Sequence, residues 1–302
     1  MNQGKSKLKI HLLTLPRWFA VPFFGSALAM GVFLAGGSFT NSLSWVALAM
    51  GLFIMAGGHS FNSYLDYVWT GLDKGELEER SAEKDYTGGQ SVIAQGVCST
   101  REVLYNALGW YVIALIPIIY LSIKTSWMVL PIAVLGMLIT FWYVKAKFNW
   151  THELALGTGV GPVAVLLGMF SVNPNPPWVD GLIVSIPFAI ILSFAGLALD
   201  EWPDAEANLK KGVKSIAYKV WENGVDLSTY LIIWIAFIYI YQVFMISIGL
   251  LTPLTGLTFL LVPILIALLV MLKGNFEKFA PWFVLVAAFY PILLVVGQAL
   301  GG

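Results

Sequence analysis

The amino-acid sequence predicts an all-α protein that crosses a membrane nine times. Of its 302 residues, 58% are hydrophobic and only 11% are charged, whereas an average soluble domain carries about a quarter charged residues. Its mean hydropathy is +0.80. Apolar stretches long enough to cross a bilayer recur along the chain, and none shows the pattern of paired strands. Helices also satisfy every backbone polar group internally, as the hydrocarbon interior requires.

The nine predicted spans are distributed over the whole chain. The first five lie near Trp18–Gly36, Leu43–Leu65, Val103–Ile123, Trp127–Val144 and Leu154–Val172. The other four lie near Leu182–Leu199, Leu227–Gly249, Leu254–Leu272 and Phe279–Leu300. The basic N-terminus leads into an apolar run as a signal peptide would, but no persuasive cleavage site follows, so we expect a retained first helix. We expect a single domain over residues 1–302.

The distribution of charge predicts the orientation of these helices. If the N-terminus lies in the cytoplasm, every Lys and Arg except Lys124 falls on the cytoplasmic side. The positive-inside rule therefore predicts an N-in, C-out topology. Every Asp and Glu except Asp180 falls on the same side, which that rule does not require. We expect an integral, multi-pass membrane protein, of the inner or plasma membrane if the cell is bacterial, with its active site facing the cytoplasm.

Net charge and cysteine content limit the functions that the chain can have. The formal net charge is zero, which argues against nucleic-acid binding as a main role. Cys98 is the only cysteine, so no intramolecular disulfide can form. The lipid bilayer is the partner that the composition indicates, and the sequence identifies no protein partner.

Acidic and amide side chains cluster where the second and sixth predicted helices leave the membrane. In an unbroken second helix, Asp66 would lie roughly 40° from Asn62, and Asp73 roughly 20° from it, so the three would share one stripe. At the end of the sixth helix, Asp200 and Asp204 are four residues apart on one face. Asn62 and Asp200 are 138 positions apart in the sequence. This spacing hints at an ancient duplication of a four-helix unit.

The two motifs would bring several carboxylates to one face of the membrane. Converging carboxylates repel one another unless a cation neutralises them. Mg²⁺ suits such a site, because it binds one or two carboxylates and completes its shell with water and substrate phosphate. With Lys and Arg nearby, the pattern suggests a diphosphate held through Mg²⁺. The alternative is that these residues only cap helices in solvated loops.

Three motifs together resemble the UbiA-like intramembrane aromatic prenyltransferases. They are Asn62-x-x-x-Asp66, Asp200-x-x-x-Asp204 and Tyr143-x-x-x-Lys147. The resemblance spans the whole chain, and nine helices with both acidic loops on the cytoplasmic side also fit this family. Residues 85–96 and the Pro-Asp-x-Glu run at 203–206 are similar to the branch that prenylates dihydroxynaphthoate for menaquinone.

The resemblance implies Mg²⁺-dependent transfer of a polyprenyl group from its diphosphate to an aromatic acceptor, a quinone precursor such as dihydroxynaphthoate. The metal ligands that it implies are Asp66, Asp73, Asp200 and Asp204. The diphosphate-binding residues that it implies are Asn62, Lys147, Lys214 and Arg17. The residues expected to act in catalysis are Asp66, Asp204, Tyr143 and Lys147.

The first motif departs from the family pattern in its spacing. In the family the next Asp follows four residues after the first, or six in the menaquinone branch; Thr70 and Leu72 stand at those positions here. Asp73 comes at seven, so we expect the chain to break near Gly71 and to fold Asp73 back toward the acidic cluster. In the second motif, Asn208 stands where a third acid is common.

Two other functions stay open. A secondary transporter also carries ionisable residues in its spans and weak internal repeats, although transporters tend to place polar groups near mid-membrane. A related enzyme could cyclise or hydrolyse a prenyl diphosphate without an acceptor. Among the histidines, we expect His59 to form a hydrogen bond near the site rather than to bind metal. We expect His11 and His152 to lie at the membrane interface.

Overall fold

The computed structural model describes residues 7–72, 91–94, 96–202, 205–272 and 276–301. Every regular element within these ranges is helical. By length and composition, nine of the described helices could cross a membrane, and they coincide with the nine predicted spans. The all-α, nine-helix prediction is therefore confirmed for the described residues, and the N-in, C-out orientation stays a prediction.

The nine long helices are numbered α1 to α9 along the chain. The first five are α1 (Lys7–Leu34), α2 (Ser42–Thr70), α3 (Thr100–Lys124), α4 (Val129–Ala146) and α5 (His152–Val172). The other four are α6 (Trp178–Glu201), α7 (Leu227–Ser247), α8 (Pro253–Met271) and α9 (Phe276–Gly301). The described parts of the loops after α2 and α6 contain the short helices Ser91–Ala94, Ala205–Lys210 and Ile216–Glu222.

Polar caps define where several of these helices begin. The Asn41 side chain accepts a hydrogen bond from the backbone at the start of α2. Ser99 and Glu102 form a reciprocal capping box at the start of α3, and the Asp226 side chain accepts from the N–H of Thr229 at the start of α7. Such caps satisfy backbone donors that have no partner within the helix.

Four of the described long helices contain a π-helical turn. These turns are Ile10–Thr14 in α1, Asp66–Thr70 in α2, Gly159–Val163 in α5 and Ile191–Gly196 in α6. A π turn holds more residues than an α-helical turn and frequently occurs at functional sites. The turn in α2 begins at Asp66 itself, the first acid of the first motif.

Helices α1 and α5 pack in direct backbone contact through two glycines. A Cβ atom on Gly31 would lie 1.9 Å from the backbone oxygen of Val165, and one on Gly168 would lie 2.1 Å from the backbone oxygen of Leu28. Neither distance leaves room for a side chain. Small residues allow this close approach between membrane helices, whose association depends on packing rather than on the hydrophobic effect.

A buried polar network joins α7, α8 and α9. The Oε1 atom of Gln242 accepts hydrogen bonds from Thr258 Oγ1 at 2.9 Å and from the Tyr290 hydroxyl at 3.1 Å. Its Nε2 atom donates to the backbone oxygen of Thr255 at 2.8 Å. Because both ends of the amide have partners, Gln242 can be fully buried in an apolar interior.

The loop after α6 is held against the ends of α4 and α5. The backbone N–H of Lys214 donates to the backbone oxygen of Lys147, and the N–H of Ile216 donates to Oε1 of Glu153, both at 2.5 Å. A small apolar cluster extends this contact to the end of α2; its members are Ala205, Val213 and Tyr218 with Leu72, Phe148 and Leu209 around them. The segments that follow the two acidic helices therefore pack together.

Candidate active site

A cavity of about 410 Å³ lies among α1, α2, α4, α5, α6 and α9. Its walls are mostly apolar and include Phe23, Phe24, Ile54, Leu156, Val160, Leu192 and Val284. Its polar lining includes Arg17, His59, Asn62, Thr140, Tyr143 and Asp200. Leu192 precedes Asp200 by eight residues on α6, about 12 Å along a helix axis. The cavity therefore extends from the acidic motifs into the apolar interior.

Asp66 lies at the centre of a buried hydrogen-bonded cluster beside this cavity. Its Oδ2 atom accepts hydrogen bonds from Asn62 Nδ2 and from Lys147 Nζ, both at 2.6 Å. Asn62 reaches it because residues four apart lie on one helical face, and Lys147 comes from the end of α4. The carboxylate is 1% exposed, and its Oδ1 atom has no hydrogen-bond partner within the described residues.

Tyr143 and Lys147 lie on one face of α4, one turn apart. The Lys147 ammonium is 5.2 Å from the centre of the Tyr143 ring, within the range of a cation–π contact. Lys145 points elsewhere: it is exposed, and its ammonium lies 4.9 Å from the centre of the Trp69 ring. The structure thus brings the third motif together with the first, and Lys145 has no part in that cluster.

Arg17 interrupts α1 and faces the cavity. Its backbone has a φ of 51°, in the left-handed region that residues with a side chain rarely adopt. The Nη2 atom donates to the hydroxyl of Ser63 on α2 at 3.0 Å. Strained backbone positions of this kind concentrate at functional sites, and the break turns the guanidinium toward the wall that also carries Asn62.

Asp200 lines the cavity from α6, and its neighbour Glu201 is buried beside α5. The Oε1 atom of Glu201 is 2.9 Å from Nδ1 of His152, and the His152 ring lies 4.6 Å from the Tyr143 ring, centre to centre. The expectation that His152 lies at the membrane interface stays a prediction, and its side chain is only 2% exposed. It is buried because α5 begins there, against the ends of α4 and α6.

Two other described residues singled out in the sequence, Lys214 and Asn208, are not on the cavity wall. Lys214 is exposed, and only its backbone contacts Lys147 among the described interactions. Asn208 donates from Nδ2 to the Tyr218 hydroxyl at 2.7 Å. Asp73 and Asp204 lie outside the described residues. Within the described ranges, no three His, Cys, Asp or Glu side chains come close enough to hold a metal ion.

The unusual spacing of the first motif coincides with the π turn Asp66–Thr70. This turn ends at Gly71, where φ is 71° and the helix stops. A π turn accommodates one more residue than an α-helical turn. The helix that carries Asp66 ends before Asp73, which lies outside the described residues.

Sequence reasoning missed Thr140, which lines the cavity on α4. A threonine inside an apolar span gives no functional signal, because its hydroxyl can bond to its own helix backbone. Its position one turn before Tyr143 is the signal that could have identified it.

Comparison with known proteins finds one similar sequence and several similar folds. No protein-family model matches it. It is 28% identical over 226 residues to the 1,4-dihydroxy-2-naphthoate octaprenyltransferase of Bacillus subtilis (strain 168). That match covers 74% of this chain and 66% of the relative, just under two thirds of the relative's length.

Solved structures share the fold over nearly the whole chain. The apo structure of a UbiA homologue from Aeropyrum pernix K1 superposes with a TM-score of 0.70 over 92% of this chain and 97% of that one, at 16% identity. The chain has a UbiA-like fold. The UbiA-like fold also matches a UbiA homologue from Archaeoglobus fulgidus bound to DMAPP and Mg²⁺, with a TM-score of 0.58, 14% identity and coverage of 94% and 98%. With this fold and its nine apolar helices, the chain is an integral, multi-pass membrane protein.

Proposed function

We propose that this protein transfers a polyprenyl group from its diphosphate to an aromatic acceptor. The observation that carries the proposal is the buried cluster of Asn62, Asp66 and Lys147 beside a mostly apolar cavity. A diphosphate needs cationic and hydrogen-bonding groups, and a prenyl chain needs an apolar channel. The similarity to a 1,4-dihydroxy-2-naphthoate octaprenyltransferase supports dihydroxynaphthoate as the acceptor and a long prenyl chain as the donor.

The carboxylate chemistry of the first motif fits Mg²⁺. Asp66 has one oxygen that is already bonded and a second, buried oxygen without a hydrogen-bond partner in the described part of the chain, as a cation ligand would have. We infer that Asp66, Asp73, Asp200 and Asp204 hold Mg²⁺. When bound, Mg²⁺ would neutralise the diphosphate and polarise the allylic C–O bond.

The side chains around Asp66 bind the leaving diphosphate. Lys147 pairs with Asp66 when no diphosphate is bound, and it turns its remaining N–H groups toward the phosphate oxygens when one is. Arg17 adds a second permanent cation from α1. The Asn62 amide and the Tyr143 hydroxyl donate hydrogen bonds to the same anion. Together these groups favour the charge that develops as the C–O bond breaks.

The apolar walls support the second half of the reaction. As the C–O bond breaks, its electron pair leaves with the diphosphate and the prenyl C1 becomes cationic. Phe23 and Phe24 present aromatic rings to the cavity, and aromatic faces attract cations in water-free surroundings. An electron-rich ring carbon of the acceptor then forms the new C–C bond with C1. The attacked carbon then loses its proton, or CO₂ where it carries a carboxylate, and the bonding electrons left behind restore the aromaticity of the ring.

The location of the polar groups favours an enzyme over a transporter. Asn62 and Asp66 lie in the last turns of α2, Tyr143 in the last turn of α4, and Asp200 at the end of α6. A transporter binding site would be expected near the middle of the helices. These four residues instead cluster where the helices end, which suits a diphosphate that enters from water.

The test is a transfer assay with purified protein in detergent or nanodiscs. Prenyl diphosphates of increasing length are mixed with Mg²⁺ and 1,4-dihydroxy-2-naphthoate, and products are identified by mass spectrometry. Prenylated acceptor that requires both Mg²⁺ and protein supports the proposal. Diphosphate release without a prenylated acceptor would identify a hydrolase or cyclase instead, and binding without any turnover would favour a carrier.

A further inference from the structure

A second polar layer lines the cavity, one helical turn deeper than the residues that bind diphosphate. His59 precedes Asn62 by three residues on α2, and Thr140 precedes Tyr143 by three residues on α4. Three residues advance a helix by about 4.5 Å. Both side chains line the cavity. Because α2 and α4 each end near the acidic motif, the two residues lie at a similar depth.

The two members of this layer lie on helices that touch each other. A Cβ atom on Gly58, the neighbour of His59, would lie 3.3 Å from Thr140 Oγ1. Among the described residues, the Thr140 hydroxyl has one hydrogen-bonding side-chain neighbour, the Tyr111 hydroxyl, at a long 3.4 Å. The two hydroxyls can therefore exchange a weak bond or release it for a ligand.

His59 has hydrogen-bonding capacity that the described part of the protein does not use. Within the described ranges, neither ring nitrogen of His59 forms a hydrogen bond with another residue. The ring lies in an aromatic setting, 6.4 Å from the centre of the Phe19 ring. A neutral imidazole offers one acceptor and one donor. Its position on the cavity wall leaves these two groups open to a bound molecule.

The order of the two polar layers along the cavity indicates which molecule would bond to His59 and Thr140. With the diphosphate held at the level of Asn62 and Lys147, the reacting prenyl C1 lies next to it on the membrane side. An aromatic ring that attacks C1 must then lie at the level of His59 and Thr140. Rings that react with carbocations are electron-rich, and a hydroxyl group is the substituent that provides this property together with hydrogen-bonding ability.

We propose that His59 and Thr140 form a subsite that binds a hydroxyl group of the aromatic acceptor and orients the ring toward the prenyl C1. The proposal rests on the proposed prenyl transfer. The acceptor hydroxyl donates its proton to an imidazole nitrogen and accepts a hydrogen bond from the threonine hydroxyl. A site built to bond a hydroxyl discriminates strongly against analogues without one, because its own polar groups are then left unpaired.

The first test compares Michaelis constants for the two substrates. His59→Phe and Thr140→Val should each raise the KM for the acceptor about tenfold, the effect of one lost hydrogen bond, and leave the KM for the prenyl diphosphate unchanged. His59→Gln, which keeps an acceptor and a donor, should recover part of the loss. A rise in the prenyl-diphosphate KM with an unchanged acceptor KM would overturn the proposal and assign His59 to the diphosphate.

The second test uses an acceptor and its methyl ether. The wild-type protein should prefer 1,4-dihydroxy-2-naphthoate to the analogue in which one hydroxyl is methylated, and His59→Phe should lose most of this preference. An undiminished preference in both His59→Phe and Thr140→Val would refute hydroxyl recognition by this layer. His11→Phe is the matched control, because His11 is absent from the cavity wall; it should behave like the wild-type protein.

A binding measurement separates this proposal from the proposed function. Calorimetric titration of the acceptor into protein saturated with inorganic diphosphate and Mg²⁺ needs no turnover. Weaker acceptor binding in Thr140→Val, with an unchanged melting temperature, supports the subsite, and equal binding overturns it. If wild-type protein binds the acceptor but never prenylates it, the proposed function fails, and this titration still decides whether His59 and Thr140 form the subsite.

Discussion

The Nζ atom of Lys147 lies 2.6 Å from Oδ2 of Asp66, and both side chains are almost fully buried. The pair joins the end of α4 to the end of α2 across the candidate active site. A buried carboxylate is costly unless it is paired, so each residue keeps the other in place. Binding a diphosphate would give Lys147 a second anionic partner without removing it from this position.

Lys147→Ala should lower the rate of prenyl transfer by roughly 100-fold or more, the effect of losing a preorganised donor to a developing anion. Lys145→Ala is the matched control, since Lys145 is exposed and contacts Trp69 rather than the cluster. Rates and the KM for prenyl diphosphate are measured for both variants. An inactive Lys145→Ala beside a fully active Lys147→Ala would show that the wrong face of α4 has been assigned.

Asp66→Ala and Asp204→Ala should each abolish transfer and leave a folded protein, because each removes a carboxylate that neutralises diphosphate charge through Mg²⁺. Asp66→Asn keeps the shape of the side chain and separates the loss of charge from the loss of packing. Activity is measured over a Mg²⁺ titration, with EDTA-treated wild-type protein as the metal-free reference. Wild-type activity of either alanine variant at saturating Mg²⁺ would refute the metal assignment.

Asp73→Asn should reduce activity sharply and raise the Mg²⁺ requirement, though less than Asp66→Asn. The reason is the break at Gly71, where the π turn ends with a left-handed residue, which allows the following chain to turn back toward the acidic cluster. Asp73 itself lies outside the described residues. If neither the rate nor the Mg²⁺ dependence changes, Asp73 is a solvated loop residue and the first motif consists of Asn62 and Asp66.

Residues 66–101 and 200–226 should face the cytoplasm, because the positive-inside rule places the basic loops there. Single cysteines at positions 83 and 211, in a variant without Cys98, should resist a membrane-impermeant reagent in intact cells. They should react once the cells are permeabilised. A cysteine replacing Lys124 is the control and should be labelled in intact cells. Labelling at 83 or 211 before permeabilisation would contradict the N-in, C-out prediction.

Gly31→Ala should destabilise the fold strongly, since its Cβ would lie 1.9 Å from a backbone oxygen that cannot move away without shifting α5. A clash of this kind typically costs about 1–3 kcal/mol, which lowers Tm by about 2–4 °C for each kcal/mol in a chain of this order of size. Gly109→Ala on α3 is the control, because nothing lies within 4 Å of its Cβ position. Equal melting temperatures would show that the α1–α5 contact is loose.

The number of helices and the acidic motifs could be predicted because both depend on local patterns. A bilayer requires an apolar run of known length, and spacings such as Asn62 to Asp66 determine which side chains share a helical face. The cluster of Asn62, Asp66 and Lys147 also depends on how two helices pack, which residue spacing cannot predict. Lys147 reaches Asp66 only because α4 packs beside α2, and the resemblance to a known family predicted that both belong to the site.

The surroundings of two other residues depend on packing that no local pattern reports. His152 stands at the start of an apolar span, and it is buried because three helix ends meet around it. Lys214 stays a predicted diphosphate ligand; the loop after α6 directs its backbone toward Lys147 and leaves its side chain exposed. The π turn at Asp66 could not be predicted from the sequence either, because its hydrogen bonding depends on what the end of α2 packs against.

The contact between α1 and α5 has the reciprocal form of a contact across a two-fold axis. Val165 follows Leu28 by 137 positions, and Gly168 follows Gly31 by the same 137, so exchanging the two helices exchanges the two halves of the contact. Self-complementary contacts of this form are those of symmetric dimers. An ancestor that carried only one acidic motif, as the predicted four-helix repeat implies, would have had to pair with a second copy of itself before any cavity faced carboxylates from both sides.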